Sequence, residues 1–215
     1  MNTNNNTNSN KNKTNNKKLK YNMRKLDESI QDEIRKLKIV RRARILASER
    51  LGRYASKWDM YLLLMAILSS ALLVISLLVN NESLARKVVS GCFSMYTVII
   101  QYYVSTLNYR ERALKFHYHH IEINKLKESL QGLLIQDYDF KNKNEKFKVI
   151  VEKYDLLLQQ QENHGDYDYY SAKYKDIRQR DFSMDNIFVN IQPMIIIFFI
   201  LAYWMLGDVC NGTTI

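Results

Sequence analysis

Three stretches of this chain, 60–79, 88–107 and 187–206, contain no Asp, Glu, Lys or Arg. Each approaches the roughly 20 helical residues needed to cross a hydrocarbon core. With no charge embedded in them, the usual marks of a proton-coupled pump or transporter are missing. Cysteine is scarce as well. Cys92 falls inside the second stretch and Cys210 beyond the third, an arrangement that gives no disulfide framework. There is no Gly-rich phosphate loop, no nucleophile elbow and no helical His-Glu-x-x-His. The chain therefore does not read as an enzyme, and no cofactor is expected. Residues 1–57 hold no apolar run, so the first such run comes too late to be a signal-peptide core.

What is present is sharply divided. The mean hydropathy of −0.35 averages apolar spans with highly charged segments. The formal net charge of +10 is unevenly placed. Arg41, Arg42, Arg44, Arg50, Arg53 and Lys57 form an interfacial basic cluster ahead of the first span. Arg110, Arg112 and Lys115 follow the second span, while the segment beyond Leu206 has no Lys or Arg. Cytoplasmic flanks carry the Lys/Arg excess, so the N-terminus and 108–186 are assigned to the cytoplasm. The loop 80–87 and the tail 207–215 are then external. Flanking charges of this kind serve insertion, and the basic N-terminal region lacks the interleaved aromatics that stack on bases. Nucleic acid is accordingly ranked last among partners.

Residues 1–25 are Asn- and Lys-rich and are expected to form a disordered leader. From Leu26 the apolar residues Leu26, Ile30, Ile34 and Leu37 recur at helical spacing, predicting a basic amphipathic helix over 26–57 that can run on into the first span. A tight loop then requires 60–79 and 88–107 to form an antiparallel hairpin. Beyond it, Tyr109, Ala113, Phe116, Ile123, Leu126, Leu130 and Leu133 form an apolar seam broken at His120. A break near 137–144 precedes a second helix at 145–161. A turn around Gly165 and a short helix over 171–180 lead to a third span at 187–206, which Pro193 can kink. The fold class is all-α: a membrane hairpin, a cytoplasmic helical region and a third C-terminal membrane helix.

Within the second span, Ser90, Ser94, Thr97, Gln101 and Ser105 repeat at intervals of three and four, which keeps them on one face. Polar groups in lipid face the bundle interior or a wet path, so the stripe should point inward. It suits close helix packing and pore lining equally; Gln101, too large for close packing, tips the balance toward a wet face. His117, His119 and His120 cluster, with His164 apart, but no Cys or Glu-x-x-His pattern completes a zinc set. Solvated or interfacial histidines are the expectation, and no metal is. The segment Glu162, Asn163, His164 and Asp166 suits a structural corner, where Asx side chains bond nearby backbone. Its sharper reading is a contact point for an activating protein or nucleotide, with His164 giving pH sensitivity.

Three pieces together resemble a known family. They are Arg44-Ile45-Leu46-Ala47-Ser48-Glu49-Arg50-Leu51, the tight hairpin flowing into Tyr109-Arg110-Glu111, and Tyr154 followed by Glu162-Asn163-His164 and Asp166-Tyr167. Their order resembles the SLATT family, the SMODS- and SLOG-associating two-transmembrane effector domains of bacterial conflict systems, over about residues 30–170. The Glu-Asn-His…Asp form is most similar to the subgroup found alongside reverse transcriptases. The resemblance implies an antiviral effector of the bacterial inner membrane that forms pores when a partner senses infection, causing cell death or growth arrest. It also implies a sensor, reverse transcriptase or nucleotide-signalling partner. The third span departs from a two-span pattern. A homo-oligomer in the bilayer is expected, because three membrane helices cannot enclose a water path. The alternative is a non-conducting anchor that recruits a cytoplasmic enzyme.

Overall fold

The computed structural model describes residues 5–78, 83–159, 165–174, 181 and 183–211, with side chains described between 17 and 205. Among these residues every regular element is a helix: α1 (Asn5–Leu78), α2 (Leu84–Leu107), α3 (Tyr109–Ile135), α4 (Phe140–Gln159), α5 (Asp166–Lys173) and α6 (Met184–Asn211). Three of them carry a window long and apolar enough to cross a membrane, within Lys17–Leu78, Leu84–Ile135 and Met184–Met205. The protein is an all-α membrane protein. The chain divides into two compact units. One is 1–48 with 114–179; the other is 49–113 with 180–215.

The first unit is built on the apolar stripe anticipated from residue spacing. Leu26, Ile30, Ile34 and Leu37 of α1 pack with Ile123, Leu130 and Leu133 of α3 and Tyr154 of α4. An i, i+4, i+8, i+11 pattern keeps the α1 residues on one face, which only partner helices can bury. Two polar contacts fix this packing: Lys143 pairs with Asp27 at 2.7 Å, and Arg41 donates to Asn124 at 2.7 Å. The Asp139 side chain accepts from the backbone N–H of Asn142 at 3.0 Å, which lets α4 start at Phe140 rather than near residue 145.

The second unit brings together the end of α1, all of α2, the start of α3 and α6. Its buried residues include Leu51, Tyr54, Trp58 and Met65 from α1, Phe93 and Ile100 from α2, and Val189 and Ile196 from α6. Phe199 lies 5.0 Å from Phe93 and 5.6 Å from Tyr96, ring centre to ring centre, so aromatic packing seats α6 on α2. Ser83 caps α2 by accepting from the Arg86 N–H.

Several expected boundaries shift. The leader is helical from Asn5, since no proline or glycine occurs before Gly52 to stop propagation. Helix α2 begins inside the expected loop 80–87, placing Arg86 and Lys87 in its first turn. Helix α5 starts at Asp166, directly after Gly165, five residues before the expected start at 171; residues 162–164 and 175–180 of the expected turn and helix lie outside the described residues. Pro193 sits inside an unbroken α6 that extends to Asn211, into the expected tail.

Candidate functional site

The hydroxyl-bearing stripe of α2 divides into two halves. Ser90 and Thr97 are buried, and Ser94 is half-buried where it accepts a hydrogen bond from Ser69 of α1 at 3.0 Å. Ser94 and Thr97 also donate back to the carbonyls of Ser90 and Phe93, at 3.0 and 2.9 Å. Hydroxyls paired in this way bring two helices close without leaving unsatisfied donors in lipid. Gln101 and Ser105 lie on the same face but are exposed. Within one protomer, then, only part of the stripe is covered. Its first three members are covered within the protomer, Ser94 against Ser69 of α1, and its last two stand open on the protomer surface. Ser105 returns its proton to the Tyr102 carbonyl at 2.7 Å. An exposed primary amide in hydrocarbon without a partner would cost about 2–7 kcal/mol.

A polar contact that spacing did not reveal joins α1, α2 and α6. Gln192 is fully buried; its Oε1 accepts from the Tyr96 hydroxyl at 3.0 Å, and its Nε2 lies 3.0 Å from Met65 Sδ. One amide thereby fixes the rotation of α6 against both hairpin helices. Sequence spacing singles out only Pro193 in this stretch. The informative signal was a large amide among Phe and Ile residues, a position polar groups occupy in membranes only when partnered.

A second cluster lies where the chain approaches α6. The Asp181 carboxylate accepts from the Tyr54 hydroxyl and, at 2.9 Å, from the Ser183 N–H. Arg50 stands 3.8 Å away, and both members of that ion pair are largely buried. Burial alone would raise the carboxyl pKa. The hydrogen bonds from Tyr54 and Ser183, with the Arg50 charge, outweigh it and hold Asp181 below the usual carboxylate range. Burial and the hydrogen bond to Asp181 push the Tyr54 hydroxyl up. The Arg50 guanidinium also sits 5.8 Å over the Tyr54 ring, and that ring meets Tyr109 edge-on at 5.9 Å. Nearby, Lys57 donates to Asn190 at 3.0 Å, and Arg110 pairs with Asp59 at 2.6 Å.

The basic cluster is thus not one solvated face. Arg44 is fully buried, 5.1 Å from the centre of the Phe116 ring, and Arg41 and Arg42 are half-buried, whereas Arg53 and Lys57 are exposed. The histidines divide too. His119, expected to be solvated or interfacial, is buried with Nε2 3.1 Å from the Leu157 carbonyl oxygen. The cause is helical phase: position 119 falls on the buried line through Phe116 and Ile123. His117 and His120 lie ring to ring at 4.8 Å. Among the described residues no three His, Cys, Asp or Glu side chains are grouped to hold a metal. Of the corner segment, Asp166 is the exposed first residue of α5; Glu162, Asn163 and His164 lie outside the described residues. A cleft of about 470 Å³ opens between α3 and α4, lined by Gly132, Leu133, Tyr138, Val149 and Ile150 among others.

Comparison with family models finds one that matches residues 23–210, described as SMODS and SLOG-associating 2TM effector domain family 5. The match takes in α6 up to residue 210, so the third apolar helix is part of the matched region and not an appendage to it. Comparisons with curated proteins and with solved structures found no match.

Proposed function

The chain belongs to the SMODS and SLOG-associating 2TM effector domain family, and from that premise we propose that it kills or arrests its own cell by opening a pore. In this reading it is the membrane effector of an anti-phage conflict system, in the bacterial inner membrane, without enzymatic activity of its own. A sensor, a reverse transcriptase or a nucleotide-signalling partner supplies the trigger. The observation that carries the pore is the open half of the α2 stripe. Gln101 and Ser105 continue the line of Ser90, Ser94 and Thr97, yet no helix of the same protomer covers them. Further copies of the chain cover them or enclose water beside them, which removes the cost of a bare amide in lipid. Several copies are required, since three membrane helices enclose no water path.

The test is dye release from vesicles reconstituted with the full chain, alongside growth arrest on expression. Gln101→Leu combined with Ser105→Ala should lower release about tenfold or more at unchanged membrane abundance. Equal release from the variant and the parent would remove the pore reading. A non-conducting scaffold is the competing function, and the open cleft between α3 and α4 favours it as a place for a cytoplasmic partner. A scaffold leaves the vesicle barrier intact at every protein density.

A further inference from the structure

Two of the polar contacts that attach α6 to the hairpin differ in character. The inner one, Gln192 with Tyr96 and Met65, is fully buried among three helices. The outer one, at Asp181, combines an ion pair with hydrogen bonds and lies where the chain returns from the segment 114–179. Between the two, Lys57 of α1 donates to Asn190 at 3.0 Å on the exposed surface, and the start of α6 is otherwise braced by its own local bonds. Asn186 donates from Nδ2 to the Asp181 carbonyl at 2.6 Å, and its backbone N–H donates to Ser183 Oγ at 3.3 Å. Immediately beyond Gln192, Pro193 supplies no N–H, so the helix lacks one rung to Val189. A helix with a missing rung bends there at lower cost than elsewhere.

These features divide α6 into an N-terminal arm, clamped at Asp181, and an apolar remainder seated by Phe199 against Phe93 and Tyr96. We propose that the Asp181 cluster is a latch: Arg50 and Tyr54 of α1 hold the N-terminal arm of α6 closed on the hairpin, and release of Asp181 frees that arm to swing about Pro193. The arm includes Phe188, whose ring lies 5.7 Å from Tyr103 of α2. Tyr103 lies two residues from both Gln101 and Ser105 and so on the opposite face of α2; release of the arm uncovers that second face of the helix whose stripe already stands open. The latch needs no bound ligand and no change of protonation. A pull on the segment preceding Asp181 competes directly with one carboxylate's bonds. In function it rests on the pore reading, because opening the arm would be the step that admits further copies or water.

A cross-link separates the latch from the pore. In the full chain with Cys92→Ser and Cys210→Ser, the pair Tyr103→Cys and Phe188→Cys reports the closed arm through its oxidation yield in vesicles. Adding Asp181→Asn should lower that yield roughly threefold or more, because the carboxylate's ion pair is lost while the side chain keeps its size. Asp181→Glu should keep the yield near the parent value, which guards against mere misfolding. A yield unchanged by Asp181→Asn overturns the latch. Dye release measured on the same vesicles should rise as the yield falls. Should the yield fall while release stays flat, the latch stands and the pore reading of the stripe is what fails.

Discussion

At the scale of single residues, the histidines show how one position of helical phase changes chemistry. The apolar seam was expected to break at His120, yet His119 is the one that turns inward, to the Leu157 carbonyl. The spacing rule placed the stripe correctly to within one residue, and could not choose between two adjacent imidazoles that both satisfy it. The same ambiguity hid Gln192, because an amide beside a proline carries no periodic signature. His120 has a testable consequence. Burial comes first in holding its pKa below the ordinary histidine value, followed by the neighbouring His117 and then by Arg41 across the packing, with a backbone contact to Phe116 acting the other way. A depressed folded value means that the folded state favours the neutral ring. The associated stability is therefore present above the unfolded value near 6.5 and is lost as pH falls through the folded one. The thermal midpoint of the full chain in detergent should decline below about pH 6.5, and His120→Gln should flatten that decline. Parallel pH profiles for parent and variant would assign the acid sensitivity to another group.

Among elements, type was legible where periodicity was strong, and boundaries were not. The three apolar windows and the α1, α3 and α4 stripes were readable because burial repeats at 3.6 residues. The start of α1 was missed because composition measures what a segment can bury, not whether a neighbouring helix propagates into it. The start of α4 was missed because Asp139 caps it four residues after Ile135 ends α3, within a run that looks uniformly polar. The break between α2 and α3 is equally local. Asn108 alone adopts φ 47°, ψ 38°, and Arg112 N–H still reaches its carbonyl at 2.9 Å. Left-handed backbone costs a β-carbon-bearing residue roughly 1–2 kcal/mol, less for Asn and nothing for Gly. Asn108→Gly should thus match the parent in chemical denaturation, whereas Asn108→Val should lose about 1–2 kcal/mol. Equal stability of the two variants would mean that α2 and α3 fuse into one helix without penalty.

For the whole molecule, the number of crossings decides how charge, family and structure fit together. The family is described by two membrane helices, while this chain presents three segments with the length and composition to cross. The charge pattern favours three. Lys and Arg flank the first span on its N-terminal side and the second on its C-terminal side, and none follows the third. Helix α6 has no charged residue between Asp185 and Asp208, and large apolar side chains such as Ile197, Phe198 and Trp204 are exposed along it. Surfaces of that kind face lipid in a membrane protein and are rare on soluble ones. Three crossings would put the two ends of the chain on opposite sides of the bilayer, the orientation we propose from the flanking charges. A single cysteine at position 210, left after Cys92→Ser, should react with a membrane-impermeant maleimide on intact spheroplasts. A cysteine introduced by Ser9→Cys, with both native cysteines replaced, should react only after permeabilisation. Protection of both ends until permeabilisation would reduce the crossings to two, with α6 lying on the cytoplasmic side and the gate built on its motion removed.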